Sequence, residues 1–478
     1  MAEESLKHKT VKGTIWSAIE AIARYGISFI IGIILARLLG PTDYGLIGIV
    51  TIFINFFNMI VDGGFTNAII RKNNATEVDY CTVFYINISI SILLGGILYC
   101  GAPAIAHFFE KSELVALSRV MSISVLINAL GIVQKAKLTK SIDFKSQTKI
   151  SLTASLSSGV VGIALAYYSF GVWALVAQYL TQSSLNTILL WFFNRWTPLL
   201  RFSIESFKEL WTFGWKLLVS GILDSISREA TNIVVGKIYS PTTLGKYSRA
   251  KSFSDVFSGN ITTIVQRVSY PVLSTIQDDL VRLKNAYRRV IKVTCLPTFI
   301  LMMCLAAVAR PMIMVLLGEE WVECANYLQL ICFTAMLYPL HSLNLNAIQV
   351  LGRSDLTLLI KIYKTLLHII PILLGIFFNI YWMLGADIFI GLVAYYINAY
   401  YSKPLLNYGI MDQIRDVLPL FGVAVAIALP VYGLSFVNLS PYAILPIQIL
   451  FGLGWAIAIL EATKLPEYLE IKSIILKR

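Results

Sequence analysis

The sequence is short of charge. Only 14% of its 478 residues are Asp, Glu, Lys or Arg, where a soluble protein of this length carries about a quarter. Histidine is scarce as well: His8, His107, His341 and His368 are scattered and never paired at ligand spacing, which argues against a metal site. The six cysteines, Cys81, Cys100, Cys295, Cys304, Cys324 and Cys332, form no C-x-x-C, and most sit inside apolar runs. They are expected to be small buried hydrophobes rather than disulfides or ligands. No connection between the apolar runs is long enough to fold alone, as the soluble part of a membrane glycosyltransferase or polymerase would. Asp278-Asp279, an acidic pair beside a basic loop, reads as a solvated turn. These absences weigh against catalysis and metal chemistry, and no cofactor is expected.

What the chain has is hydrocarbon. It is 57% hydrophobic, with a mean hydropathy of +0.72. Its apolar residues fall in blocks of roughly 18–25, the length that crosses about 30 Å of bilayer as helix. Hydropathy gives about fourteen spans, centred near residues 26, 53, 92, 124, 158, 182, 225, 260, 302, 336, 368, 392, 425 and 451. The expected class is an all-α integral membrane protein. Lys7-His8-Lys9-Thr10-Val11-Lys12, followed by the long span at 13–38, could pass for a signal peptide. The apolar run is too long and Leu35-Ala36-Arg37-Leu38 is a poor cleavage site, so an uncleaved first helix is expected.

The loops test that count. With the N-terminus in the cytoplasm, alternate connections should be basic. The first such connections hold Arg71 and Lys72, then Lys135, Lys137, Lys140, Lys145 and Lys149, then Arg195, Arg201 and Lys208. The series continues through Arg282–Lys292, Arg353–Lys364, Lys403 and Arg415, and ends at Lys464, Lys472, Lys477 and Arg478. With Lys7, Lys9 and Lys12, roughly 27 of the 39 basic residues fall on one side. An even number of spans follows, with both ends cytoplasmic. The net charge of +12 then reflects topology and anionic lipid heads, without nucleic acid.

There is an internal echo. Leu35-Ala36-Arg37-Leu38-Leu39-Gly40-Pro41-Thr42-Asp43-Tyr44-Gly45 returns as Val235-Gly236-Lys237-Ile238-Tyr239-Ser240-Pro241-Thr242-Thr243-Leu244-Gly245. A base, Pro-Thr and a closing Gly recur at the exits of the first and seventh spans, which divides the first twelve into six plus six. Duplicated halves are common in transporters.

Several spans carry full charges: Glu20 and Arg24 in the first, Lys216, Asp224, Arg228 and Glu229 in the seventh, Arg249, Lys251 and Arg267 in the eighth. A charge at mid-bilayer costs roughly 2.5–3.5 kcal/mol on insertion scales, so such residues normally face water or a solute. Bases outnumber acids, which points to an anionic cargo. Thr51, Asn55, Asn58 and Asp62 share one helix face, as do Lys216, Ser220, Asp224, Ser227 and Thr231. The eighth span is polar on two faces. The bland alternative is internal pairing, since Glu20–Arg24 and Asp224–Arg228 are spaced i,i+4. Asp62 precedes Gly63-Gly64, so a turn role competes with a transport role.

The run Leu35 to Gly48 resembles the signature of polysaccharide-biosynthesis membrane proteins of the lipid-linked oligosaccharide flippase type, within the multidrug/oligosaccharidyl-lipid/polysaccharide exporter superfamily. The blocks at 62–70, 244–250, 270–274 and 317–321 are similar to further family blocks and keep their order. The resemblance implies two six-helix lobes in a V around a central cavity, residues 1–200 and 201–405, followed by two extra helices and a tail at 406–478. It implies a bacterial cytoplasmic-membrane protein that turns polyprenyl-diphosphate-linked oligosaccharide units across the bilayer for O-antigen, capsule or exopolysaccharide, alongside other assembly proteins. Arg24, Arg228, Arg249, Lys251 and Arg267 would then attract the diphosphate, Arg by its planar fork. Glu20, Asp62, Asp224 and Glu229 could couple transport to Na⁺ or H⁺. Tyr338, His341, Asn344 and Gln349 could line the path of the sugar. An ion-coupled multidrug or cation exporter on the same fold is the alternative, although it would favour an acidic cavity.

Overall fold

The computed structural model describes residues 26–72 and 74–476. Glu20 and Arg24 therefore lie outside the described residues, and so does the side chain of Arg267. Helix follows helix throughout. The first unit holds α1 (Gly26–Leu38), α2 (Pro41–Asp62), α3 (Phe65–Arg71), α4 (Glu77–Phe109) and α5 (Glu113–Lys140). It continues with α6 (Phe144–Tyr167), α7 (Val172–Asn194), α8 (Ile204–Val234) and a π-helical turn, Val235–Tyr239, that runs into α9 (Pro241–Ser274). Then come α10 (Leu280–Leu316), α11 (Val322–Met336), α12 (Tyr338–Val350), α13 (Ser354–Leu367) and α14 (Ile369–Phe377). The chain closes with α15 (Ile380–Leu406), α16 (Ile410–Gly433), α17 (Pro441–Thr463) and α18 (Pro466–Leu476).

Thirteen of the fourteen expected span centres fall in these helices and the one near 368 falls at the break between α13 and α14, with α11–α12 and α13–α14 each making one broken crossing. Ten of the described crossings are long and apolar enough to span a bilayer on that measure alone, and α1 is a shorter apolar helix. The remaining three, α7, α8 and α9, are the more polar ones. No strand occurs among the described residues. In hydrocarbon every backbone amide must be satisfied within its own segment, which leaves helix as the available solution for these runs.

Local chemistry sets the ends. Pro41 opens α2, where its missing N–H costs nothing, and Gly63 closes it at φ 55. Thr76 and Asp79 form a reciprocal capping box on α4, and Asn379 caps α15 through the amides of Tyr381 and Trp382. Asp279 caps α10 by accepting from the Arg282 amide at 3.0 Å, so the acidic pair does sit at a turn. Four cysteines are buried, but Cys100 is exposed and Cys304 half-buried. On a lipid-facing helix surface an apolar thiol is as much at home as in the interior.

The chain divides into two compact units, Met1–Gly245 and Lys246–Arg478. In the first, α4 lies along α5, α6 along α7, and α5 against α7, while α8 packs on α2 and α3. Phe65, Tyr80, Phe84, Trp196 and Leu210 form a core at one end. The connections expected on one face of the membrane do gather there. Lys72 bridges Asp79 and Glu209 at 3.0 and 2.8 Å, Lys137 meets Glu77 at 3.1 Å, and Gln134 donates to the Trp196 carbonyl at 2.9 Å. Glu110 and Lys237, from connections expected opposite, pair at 2.7 Å. In the second unit α10 packs against α11, α16 and α17. Its basic first turns bind neighbouring acids: Arg288 with Asp416, Arg289 with Glu470, Lys292 with Glu467. Segments assigned to one side thus meet within each unit.

Candidate functional site

In the first unit, α2 half-buries Thr51 and Asn58 and leaves Asn55 exposed. The Thr51 hydroxyl is spent on the Gly48 carbonyl at 2.9 Å, and Asn58 Oδ1 is buried without a described partner. Asp62 holds the α2–α3 turn: its carboxylate accepts from the Thr66 hydroxyl and from the amides of Gly64 and Thr66. Lys135 of α5 stands within electrostatic reach of it. The turn role is therefore in place at Asp62, with a base beside it.

On α8, Lys216, Asp224 and Arg228 share an exposed face, while Ser225 and Thr231 are buried. Glu229 accepts from the Asn232 amide at 2.8 Å, so this acid is held within its own helix. In the second unit, α9 buries Ser254, Ser258, Thr262 and Ser269, and Ser258 donates to the Ala335 carbonyl of α11 at 2.6 Å. Part of the polarity of the eighth span thus serves packing. Arg249 and Lys251 are half-buried on the same helix, and Lys246 pairs with Glu323 at 2.8 Å.

Lys251 belongs to a charged group that the sequence reading did not assemble. Asp255 one turn on, His368 at the junction of α13 and α14, and Asp387 of α15 all feel its charge. His368 Nε2 lies 3.6 Å from Asp387 Oδ1. The signal was available, since Asp387 is a lone acid inside an apolar span.

The four residues expected along a sugar path divide. Tyr338 and Gln349 are exposed. Asn344 is fully buried, bonded to Gln413 at 3.0 Å, to the Ser402 hydroxyl at 2.9 Å and to the Leu340 carbonyl. His341 Nδ1 lies 3.2 Å from the Asn398 amide. Asn344 and His341 tie α12 to α15 and α16. Trp191 and Trp196 stand at span ends, where tryptophan commonly anchors to the membrane interface, yet both are structural: Trp191 donates to the Leu130 carbonyl at 2.9 Å, and Trp196 donates to Glu77 from the core. Trp211 and Trp382 are exposed, as anchors would be.

The first unit also contains a polar cavity of about 400 Å³ between α5, α6 and α7. Helix α7 lines it with Tyr179, Gln182, Ser183 and Asn186, α5 with Asn128 and Lys135, and α6 with Gln147 and Ser151. Tyr179 hydrogen-bonds Asn128 and Ser124 across the α5–α7 seam. Spacing of i, i+3, i+4 and i+7 puts the four α7 residues on one face. That stripe is legible in the sequence by its spacing but, being uncharged, does not stand out among the buried ions. A second depression of about 520 Å³, between Ile370 and Ile390, is apolar apart from Asn379.

A polysaccharide biosynthesis protein family matches residues 34–326. Lipopolysaccharide biosynthesis protein WzxC of Escherichia coli K12 is 23% identical over 78% of this chain and 76% of its own length. Teichuronic acid biosynthesis protein TuaB of Bacillus subtilis 168 is 26% identical over 74% of this chain and 73% of its own. Among solved structures, an inward closed lipid II flippase MurJ superposes with a TM-score of 0.75 at 15% identity, covering 98% of this chain and all of that one. An inward-facing multidrug MATE family transporter of the MOP superfamily gives 0.62 at 16%, over 84% and 95%. At such identities the likeness is one of fold.

Proposed function

This chain belongs to the polysaccharide biosynthesis protein family, and on that premise we propose that it is a flippase for polyprenyl-diphosphate-linked oligosaccharide units. It moves them across the bacterial cytoplasmic membrane by alternating access, in the assembly of a surface polysaccharide. One observation carries the reading: the same chain matches polysaccharide-biosynthesis relatives and, nearly end to end, the fold of a lipid II flippase. It acts as a transporter and not as an enzyme, with both termini cytoplasmic and assembly proteins taking the product.

In this reading residues 1–200 and 201–405 form the two lobes that alternate, and 406–478 add two helices and a tail. The exposed Arg228 and the half-buried Arg249 and Lys251 meet the diphosphate, together with Arg24 and Arg267. Asp62, Asp224, Glu229 and Glu20 are candidates for ion coupling, joined now by Asp387 beside His368. Tyr338 and Gln349 remain candidates along the sugar path.

The test is leaflet exchange of a fluorescent polyprenyl-diphosphate oligosaccharide in proteoliposomes, with and without Na⁺ and pH gradients. Exchange above protein-free vesicles supports the proposal, and none in any gradient refutes it. The MATE likeness favours one rival, a cation exporter. Arg267→Glu should abolish exchange in a flippase. Organic-cation transport that survives this change would favour the exporter.

A further inference from the structure

We propose that the polar cavity between α5, α6 and α7 is a subsite for one pyranose unit carrying a negative charge. This rests on the flippase reading for its purpose, though not for its chemistry. Hydroxyl and amide groups from three helices converge on about 400 Å³, near the lower end of the usual size range for small-ligand pockets, about 300–1,000 Å³. A purely structural seam between apolar helices needs no such stripe, since leucine would fill it without any polar cost.

The chemistry of the lining selects the ligand. Asn128, Gln182, Ser183 and Asn186 offer groups that both donate and accept, matching sugar hydroxyls, which do the same. Among the described residues, Lys135 is the one charged side chain of the lining, and no carboxylate lines it. That argues against an organic cation, the ligand of an exporter. A bare diphosphate would call for several bases or an arginine fork, and a single lysine gives neither. A sugar with one adjoining anion fits both features. The anion is either the anomeric phosphate or a uronate carboxylate. Asp62 of α2 lies within electrostatic reach of Lys135 but spends its carboxylate on the α2–α3 turn.

The test uses the full chain in nanodiscs with Cys100→Ser, which removes the exposed thiol, and Ser183→Cys as a reporter for maleimide labelling. Gln182→Cys serves as a second reporter should the first fail to fold. Glucose 1-phosphate and glucuronate should each be tried, against glucose and inorganic phosphate alone. Labelling slowed several-fold by glucose 1-phosphate or glucuronate, and far less by either control, supports the subsite and tells which anion is read. Lys135→Gln should erase that preference while leaving the melting temperature in place. Equal protection by inorganic phosphate, or none by either acidic sugar, overturns it. Protection without leaflet exchange would sink the flippase reading and leave the subsite. Exchange without protection would do the reverse.

Discussion

Gly45 and Pro241 meet backbone to backbone. A methyl group added at Gly45 would overlap the Pro241 carbonyl oxygen and lie 2.8 Å from the Pro241 Cα. Gly245 stands in the same relation to the carbonyl of Pro41, and the hydroxyls of Thr42 and Thr242 hydrogen-bond at 2.8 Å. The sequence echo is therefore a contact between its own two copies, reciprocal in the manner of a twofold axis. Glycine is required here for close approach, not for an unusual φ.

Gly45→Ala or Gly245→Ala must push two backbones apart. Overpacking of this kind costs about 1–3 kcal/mol, and a backbone obstacle yields less readily than a side chain. Either change should lower the melting temperature in detergent and cut folded yield. A wild-type melting curve for both would contradict the close approach.

Thr42→Val and Thr242→Val should each cost about 0.5–1.5 kcal/mol, the net worth of one hydrogen bond. Because the two residues share that bond, the double variant should cost less than the sum. Strict additivity in a thermal or denaturant cycle would mean that the hydroxyls do not interact.

Lys237, the echo's second base, donates to Glu110 at 2.7 Å and holds that carboxyl below its usual range. A depressed carboxylate adds stability above its unfolded-state pKa, and that stability is lost as pH falls through the lower folded value. Lys237→Gln should therefore leave the melting temperature insensitive at acid pH and lower it slightly at neutral pH. The difference should shrink in high salt. A larger effect in acid would reverse the assignment.

Asn344→Ala should destabilise by about 1–3 kcal/mol, because it removes both hydrogen bonds that Asn344 exchanges with the buried amide of Gln413. If Asn344 instead touched sugar, the variant would keep its melting temperature and lose apparent substrate affinity. Melting curves and concentration-dependent leaflet exchange, measured together, separate the two.

Asp387→Asn should remove most gradient-driven exchange while leaving the fold intact, if the Asp387–His368 pair carries the coupling proton. Lys251 and Asp255 bear on the same region, Lys364 lies one turn before His368, and all three must be varied beside it. His368→Gln should alter the pH profile of exchange. A profile unchanged in both variants would exclude the pair from coupling.

Much of this was legible beforehand because hydrocarbon imposes a simple rule. Span number and loop parity follow from block length and from the placement of lysine and arginine, as the clustering of Lys72, Lys137 and Glu209 at one end illustrates. Which face of a span turns inward is another matter. In a bilayer both the interior and the lipid-facing surface are apolar, so hydropathy is silent between them. Asn344 and Trp196 looked like residues for a ligand path and a membrane interface, and packing consumed both.

By itself the sequence determined that this chain crosses the membrane about fourteen times as helix, because unpaired amides are costly in hydrocarbon. Only the tertiary structure decided which polar groups are spent on one another. It brings Asp387 to His368, closes Gln413 on Asn344, and sets Lys135 beside the amides of α7. Such pairings depend on helix rotation and neighbour choice, and these are fixed by packing between elements far apart in the chain.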